Sequence, residues 1–422
     1  MSTHTTKKEY FDVVVIGGGA AGMMAAIWAS ENGAKVALVE KNRSLGKKLL
    51  LTGNGRCNIT QAKFDNRQFI EHLGQNGKFL FSALSAFGPV ETMAFFENSG
   101  LRLKTEKDGR VFPKSDKAQD VLAVLEKNLK KNGVKIFLHQ NVLGFELKDK
   151  KVACVELNDK KIYADSFVLS TGGKSYPATG STGDGYQWLA RIGHKVNSPA
   201  PALVPIKIND SWIRDLQGIS LKNVGLNLIQ NDQKINLGTG KIIFTHFGLS
   251  GPAIISASKI IGEHLRKGKV FLALNLFPAL NLTELEEKLK IDFESHKKIN
   301  LKKYLSGIFP QKLALKIMEL AGFEHTRKIH SVNKPERTNL ARLMKSIRVT
   351  VDSLLDFNHA IVTSGGVDLK EVDPQTMRSK IATNLFLAGE VLDLDGPTGG
   401  YNLQIAWTTG YATGKHANHP RK

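Results

Sequence analysis

The segment from Phe11 to Glu40 constrains this chain more than any other. Phe11-Asp-Val-Val-Val-Ile16 is a short β-branched run without polar alternation, which is how a strand buried on both faces of a parallel sheet reads. Gly17-Gly-Gly-Ala-Ala-Gly22 follows at once. Met23 to Asn32 then reads as a helix closed by Gly33, a residue suited to the C′ position. Lys35 to Val39 is a second strand, and it ends on Glu40. Gly17 permits the tight strand-to-helix turn, Gly19 lets the backbone approach a pyrophosphate, and Gly22 allows close packing of helix on strand. Ala20 and Ala21 complete the turn, where a helix offers free N–H groups and its positive dipole end to phosphate. Glu40 stands where a carboxylate can accept hydrogen bonds from ribose hydroxyls. With strand, turn, helix, second strand and acid in register, the unit reads as a dinucleotide site. The glycines alone do not decide between FAD and NAD.

Lys47 to Thr60 carries a polar, Gly-rich loop in which Thr52, Gly53, Asn54, Gly55, Arg56 and Asn58 can turn amides or side chains toward an anion or a flavin edge. Cys57 lies in the same loop; lacking a CxxC partner, it reads as a buried cysteine rather than a redox thiol. Lys41, Lys48, Cys57 and Val142 are counted with the cofactor-binding set. Val134–His139, Val142–Leu147, Val152–Leu157 and Lys161–Tyr163 are short strands joined by polar turns, the pattern of a β-meander. The chain then returns to a buried strand, Ser166–Ser170, ending in Thr171, Gly172 and Gly173. Ala178 to Tyr186 opens a helix that Asp184 is placed to cap. Asn384–Ala388 is a last buried strand, followed by Gly389, Glu390 and Asp393, the two acids within reach of a ribityl chain. Gly399 and Gly400 then open a helix from about Leu403 to His416, with Tyr401 and Asn402 at its start; such an N-terminus favours negative charge.

The set GGGAAG, TGNGRCNIT, STGGKSYPATGSTGDG, FTHFGLSGPA, VTSGGV and LFLAGEVLDLDGPTGGYNLQIAW resembles the BaiN-type flavoprotein family, bacterial enzymes also labelled the aminoacetone-oxidase family. The resemblance runs in order over essentially the whole chain. More distantly, TGG, TGDG, VTSGGV and LFLAGE are similar to the succinate dehydrogenase/fumarate reductase flavoproteins. The resemblance implies FAD and an α/β fold: a Rossmann-like FAD-binding domain split in sequence (1–193 and 349–422), an inserted β-barrel (194–281 and 329–348) and a small helical subdomain (282–328). Short strands at Val224–Ile229, Lys234–Leu237, Lys241–Thr245 and Val270–Leu276 agree with that division. So does the helical spacing of Leu285, Leu289 and Ile291, then Leu313, Ile317 and Leu320, with Pro310 between. The resemblance also implies a cycle in which NADH or NADPH reduces the flavin, which passes hydride from N5 to an electron-poor small molecule such as an unsaturated carbonyl compound. No second GxGxxG is present, so the nicotinamide donor is expected to dock transiently. Tyr401 and His246, the latter in the FTHFGLSGPA turn, are the candidates for proton donor or substrate anchor. Arg56 is a candidate for holding an anion or a cofactor phosphate. The His/Arg context with which fumarate reductases bind dicarboxylates is not found.

Charge leaves a second question open. With 59 Lys+Arg against 39 Asp+Glu, the formal net charge is +20, which fits a basic soluble protein or a surface that meets a polyanion such as tRNA. A tRNA-modifying flavoenzyme and a flavin-holding redox sensor without turnover are therefore the competing classes. No stretch approaches the roughly 18–20 apolar residues of a membrane span. The N-terminal MSTHTTKKEY lacks the apolar run of a secretory signal. Two cysteines without a CxxC argue against a disulfide framework and a cysteine zinc site. The expectation is a cytoplasmic enzyme acting on a small molecule, with no metal and no membrane partner.

Overall fold

A computed structural model describes residues 9–418; the stretch through Lys8, searched above for a secretory run, lies outside the described residues. The chain divides into two compact units, Met1–Pro201 with Ala360–Lys422, and Ala202–His359.

The first unit is built on strand β1 (Glu9–Ile16), helix α1 (Ala20–Glu31) and strand β2 (Val36–Val39). β1 pairs in parallel with β2 on one side and with Lys161–Leu169 on the other. Lys135–Phe137 extends the parallel sheet beyond β2, and Leu385–Leu387 extends it beyond Lys161–Leu169. Val13, Val14 and Val15 are fully buried, which explains the missing alternation. The carboxyl ends of five strands thus share one edge, where open α/β sheets bind ligands. α1 packs against the C-terminal helix Tyr401–Ala417 so closely that a Cβ on Gly410 or Gly414 would lie 2.4 Å from the carbonyl oxygen of Ala21 or Ala25.

Two local expectations change here. The run at Val134 is not part of the meander, because Lys135–Phe137 pairs in parallel with β2. Lys161–Tyr163 and Ser166–Ser170 belong to one strand whose first half pairs with Lys151–Leu157 and whose second half pairs with Leu385–Leu387. A short apolar run does not announce its partner's direction.

The second unit is a closed six-stranded barrel in the order Ile206–Ile208, Gly248–Ser250, Gln233–Phe244, Ser220–Gln230, Val270–Asn275 and Ile347–Leu354. Helices Leu282–Ser295, Leu301–Ser306, Gln311–Leu320 and Lys334–Lys345 share its hydrophobic core. The first opens on a capping box between Asn281 and Glu284. It buries Leu285, Leu289 and Phe293, whereas Ile291 is 57% exposed; Leu320 likewise lies outside the buried stripe of its helix. The boundaries expected at 193/194 and 348/349 fall instead at 201/202 and 359/360. Ile347–Leu354 is the strand that closes the barrel, and Val196–Ala202 pairs with Val362–Val367 rather than with a barrel strand. The helical portion also runs past 328, to Lys345. Among the described residues no single helix is long and apolar enough to cross a membrane.

Candidate functional site: a dinucleotide cleft at the sheet edge

The first unit holds a cleft of about 560 Å³ along the carboxyl edge of its parallel strands. The three motif glycines play different parts in it. A Cβ on Gly17 (φ +104°) would lie 2.5 Å from the Ser170 carbonyl oxygen, and one on Gly22 would lie 1.8 Å from that of Gly17. These two are fixed by packing within the protein, and Gly22 does not line the cleft. Gly19 differs, because a Cβ there would meet no atom of the described residues within 4 Å. It lines the cleft with Ala20 and Ala21 at the uncapped start of α1. An open cradle that a methyl would fill, beside a helix N-terminus, fits a pyrophosphate.

Glu40 stands on the same wall. Its Oε2 accepts the Gly18 amide at 2.7 Å, and its Oε1 accepts the amide and Nδ2 of Asn42, each at 2.7 Å. A carboxylate has about four acceptor sites, so one remains for a ribose hydroxyl. Across the cleft, Lys41 Nζ reaches Thr182 Oγ1 at 2.6 Å and Asp184 Oδ2 at 2.8 Å, and Asn42 Nδ2 reaches the Thr179 carbonyl at 2.9 Å. Asp184 therefore does not cap its helix as expected; Gly183 takes the N-cap position and the carboxylate serves Lys41.

Val142, Thr171 and Gly172 line the cleft further along, as do Lys48, Thr52, Gly389 and Glu390. Thr171 Oγ1 is itself buried without a hydrogen-bond partner among the described residues and faces Gly185, where an added Cβ would lie 2.3 Å from it. Lys48 Nζ pairs with Glu390 Oε2 at 2.6 Å. Burial would raise the Glu390 carboxyl, but Lys48, Ser175 and Thr363 outweigh it and hold the group below the usual carboxylate range. Asn402 and Leu403, in the first turn of the C-terminal helix, close this end.

Other predicted residues are drawn elsewhere. Arg56 stacks 3.9 Å over the Phe112 ring and pairs with Glu106 at 2.8 Å, so its charge is spent on the protein. Cys57 is fully buried, which pushes its thiol up to about 12. Tyr401 packs its ring 4.8 Å from that of Phe69 and 5.2 Å from that of His72, outside the cleft lining, and burial pushes its hydroxyl up to about 12. His246 is exposed in a turn of the second unit, with its ring against Phe247. Gly53 and Asn58 crowd each other beside the cleft rather than lining it. Gly173 packs on Thr363, and Gly400 packs on the Thr60 carbonyl. Gly399 completes that turn at φ +117°, and Asp393 accepts a bond from Asn197 at 2.9 Å.

The cleft also uses residues that the sequence reading passed over. Asn42 directly follows the pair already chosen, and Ser170 directly precedes the TGG turn, so adjacency to a motif could have found them. Gln140 and Trp188 form part of the far wall, and Ile361 and Val362 arrive from a distant segment, at the start of the VTSGGV motif.

Comparison with known proteins places these features in context. The family described as HI0933-like protein Rossmann domain matches residues 11–416. The chain is 33% identical over 406 residues to a 3-dehydro-bile acid delta(4,6)-reductase of Clostridium scindens, covering 96% of this chain and 98% of that protein. It is 29% identical over 404 residues to a ribosomal RNA dihydrouridine synthase of Escherichia coli, covering 96% and 97%. Among solved structures, a 3-ketosteroid-delta4-(5alpha)-dehydrogenase from Rhodococcus jostii RHA1 superposes with a TM-score of 0.53 at 14% identity, covering 99% of each chain. A flavocytochrome c3 fumarate reductase superposes at 0.51 with 18% identity, covering 98% of this chain and 79% of that one. At such identities these structural likenesses establish the shared fold.

Proposed function

From the premise that this chain belongs to the HI0933-like family and is a flavin-dependent oxidoreductase, we propose that it carries hydride from NADH or NADPH, through FAD, to a carbon–carbon double bond conjugated with a carbonyl. The observation that carries this reading is the near full-length likeness to the 3-dehydro-bile acid reductase. The name of that relative describes a ketone conjugated with ring double bonds. The uracil ring of uridine, the nucleoside implied by the name of the ribosomal RNA relative, also has a double bond conjugated with a carbonyl. In each, conjugation with the carbonyl makes one carbon of the double bond electron-poor, so hydride would add there and a proton would complete the saturated bond.

Bound FAD would supply two-electron transfer at its N5. The work of the chain is to hold and bias it. Gly19, Ala20 and Ala21 would present amides and the α1 dipole to the pyrophosphate, and Glu40 would hold the ribose. Val142, Thr171 and Gly172 would line the walls along the bound nucleotide. The first turn at Asn402 and Leu403 would favour the negative charge that reduction places on the ring.

A second reading takes a uridine of ribosomal RNA as the acceptor, and the net charge of +20 favours it. The test is anaerobic. NADH or NADPH should bleach the flavin, and a cyclic enone or ribosomal RNA is then offered for reoxidation. Return of the oxidised spectrum with the enone, together with a product that has gained two hydrogens, supports the first reading. Return with RNA alone supports the second. A flavin that neither nucleotide reduces would overturn the proposed donor.

A further inference from the structure

Three of the sequence motifs and the short helix Lys47–Leu51 meet at one point in the cleft wall. Lys48, from the short helix Lys47–Leu51, contacts Glu390 at 2.6 Å and also bonds Ser175 Oγ. Glu390 Oε1 accepts the Ser175 hydroxyl and the Thr363 amide, both at 2.7 Å. The Thr363 hydroxyl in turn accepts the amides of Lys174 and Ser175 at 2.8 and 3.0 Å. One charge of each sign is thus locked in the wall of the cleft proposed to hold the flavin, with side chains only 23% and 20% exposed. Charges so enclosed are screened much less than surface charges. The neighbouring Lys41 and Asp184 form their own, more open pair.

A flavin that accepts an electron pair gains negative charge on its ring. An unopposed ammonium in the wall would favour that change, and an unopposed carboxylate would resist it. We infer that the Lys48–Glu390 pair sets the electron affinity of the flavin, with Glu390 restraining the pull of Lys48. Removing either partner then shifts that affinity in opposite senses. A purely structural node behaves differently: losing either residue would loosen the same four segments, and both variants would err the same way. The inference rests on the flavin and not on the proposed hydride donor or acceptor.

Sulfite tests it without any substrate. Its sulfur lone pair bonds to flavin N5, and the ring takes up the negative charge, so its dissociation constant reports the same electrostatics. FAD-loaded wild type, K48M, K48R, E390Q and the K48M/E390Q double variant are titrated by loss of visible flavin absorbance. E390Q should bind sulfite about tenfold more tightly and K48M about tenfold more weakly, the scale of one charge acting across a partly enclosed site. K48R and the double variant should stay within about threefold of wild type. The midpoint potential should follow the same order, highest in E390Q. If both single variants move in the same direction, or neither moves beyond about threefold, the inference fails. Should K48M lose its FAD, E390Q decides alone, and unchanged or weaker sulfite binding there overturns the inference. Failure of the nicotinamide or enone assay leaves this pattern unaffected, so the two readings fall separately.

Discussion

Replacing Gly19 and Gly22 in turn by alanine separates what the cofactor needs from what the fold needs. Gly19 sits at φ −80°, ψ −171°, extended backbone that any residue adopts, and a methyl there meets no described atom within 4 Å. The flavin-free protein loses about 1 kcal/mol at most from placing alanine at a helix N-cap, and recovers about 0.4–1 kcal/mol from a less flexible unfolded chain. Its Tm should stay within about 3 °C of wild type. The same methyl occupies the cradle of the pyrophosphate, and overfilling a packed site costs about 1–3 kcal/mol. FAD affinity should therefore fall roughly ten- to hundredfold. At Gly22 the methyl would lie 1.8 Å from the Gly17 carbonyl oxygen and 2.5 Å from Ser170 Oγ, so main chain has to move. That cost belongs at about 3 kcal/mol or above, and Tm should fall by about 6 °C or more. Thermal unfolding of the stripped proteins, with FAD titration followed by flavin fluorescence, reads both quantities. The reasoning fails if stripped G19A melts as low as G22A, or if G19A binds FAD within about threefold of wild type.

The two cysteines should resist a thiol-specific disulfide reagent at pH 8 in the native protein and react fully once unfolded, because Cys57 is pushed up to about 12 and Cys154 to about 11. An unfolded thiol ionises near its ordinary 9.0. The unfolded chain therefore releases protons above that pH while the native chain keeps them. The stability these thiols contribute below pH 9 should thus be lost as pH rises toward about 12, seen as a falling urea midpoint. Substituting Arg56 by methionine should cost about 1 kcal/mol of stability, from the Phe112 stack and a partly exposed ion pair, while FAD affinity changes less than about threefold; loss of FAD would return Arg56 to the cofactor. K41M should release FAD about threefold faster at low salt by removing the contact across the cleft to Asp184, and high salt should narrow the difference. Equal rates at every ionic strength would refute that role.

The Rossmann unit was legible because its signals are local: an unalternating valine run, a glycine turn and a strand ending in glutamate are contiguous, and each element forms where the residues place it. Roles within the motifs were less legible. Glycine marks where backbone is crowded, but not whether protein or ligand does the crowding. Gly19 faces the cleft, whereas Gly22, Gly173 and Gly400 face other parts of the chain. Charged side chains posed a similar difficulty. Arg56 found Glu106 and Asp116, 50 and 60 residues away, and no spacing rule reaches that far. Glu390, read as a group within reach of the ribityl chain, lines the cleft and is also the partner of Lys48, a pairing 342 residues apart that no local pattern signals. Helix faces in the second unit were read nearly correctly. The line through Leu285 and Leu289 continues to Phe293 at i+4, and Ile291 falls on the other side.

The central claim is that the cleft at the sheet edge is the seat of one FAD. Its most direct measurement is the flavin content of the purified chain, from the absorbance spectrum before and after denaturation. The account predicts a yellow protein that releases one FAD per chain on unfolding, with stripped protein taking it up again and G19A needing roughly ten- to hundredfold more FAD for the same loading. A colourless protein that cannot be reconstituted, or G19A that loads FAD as readily as wild type, would contradict it.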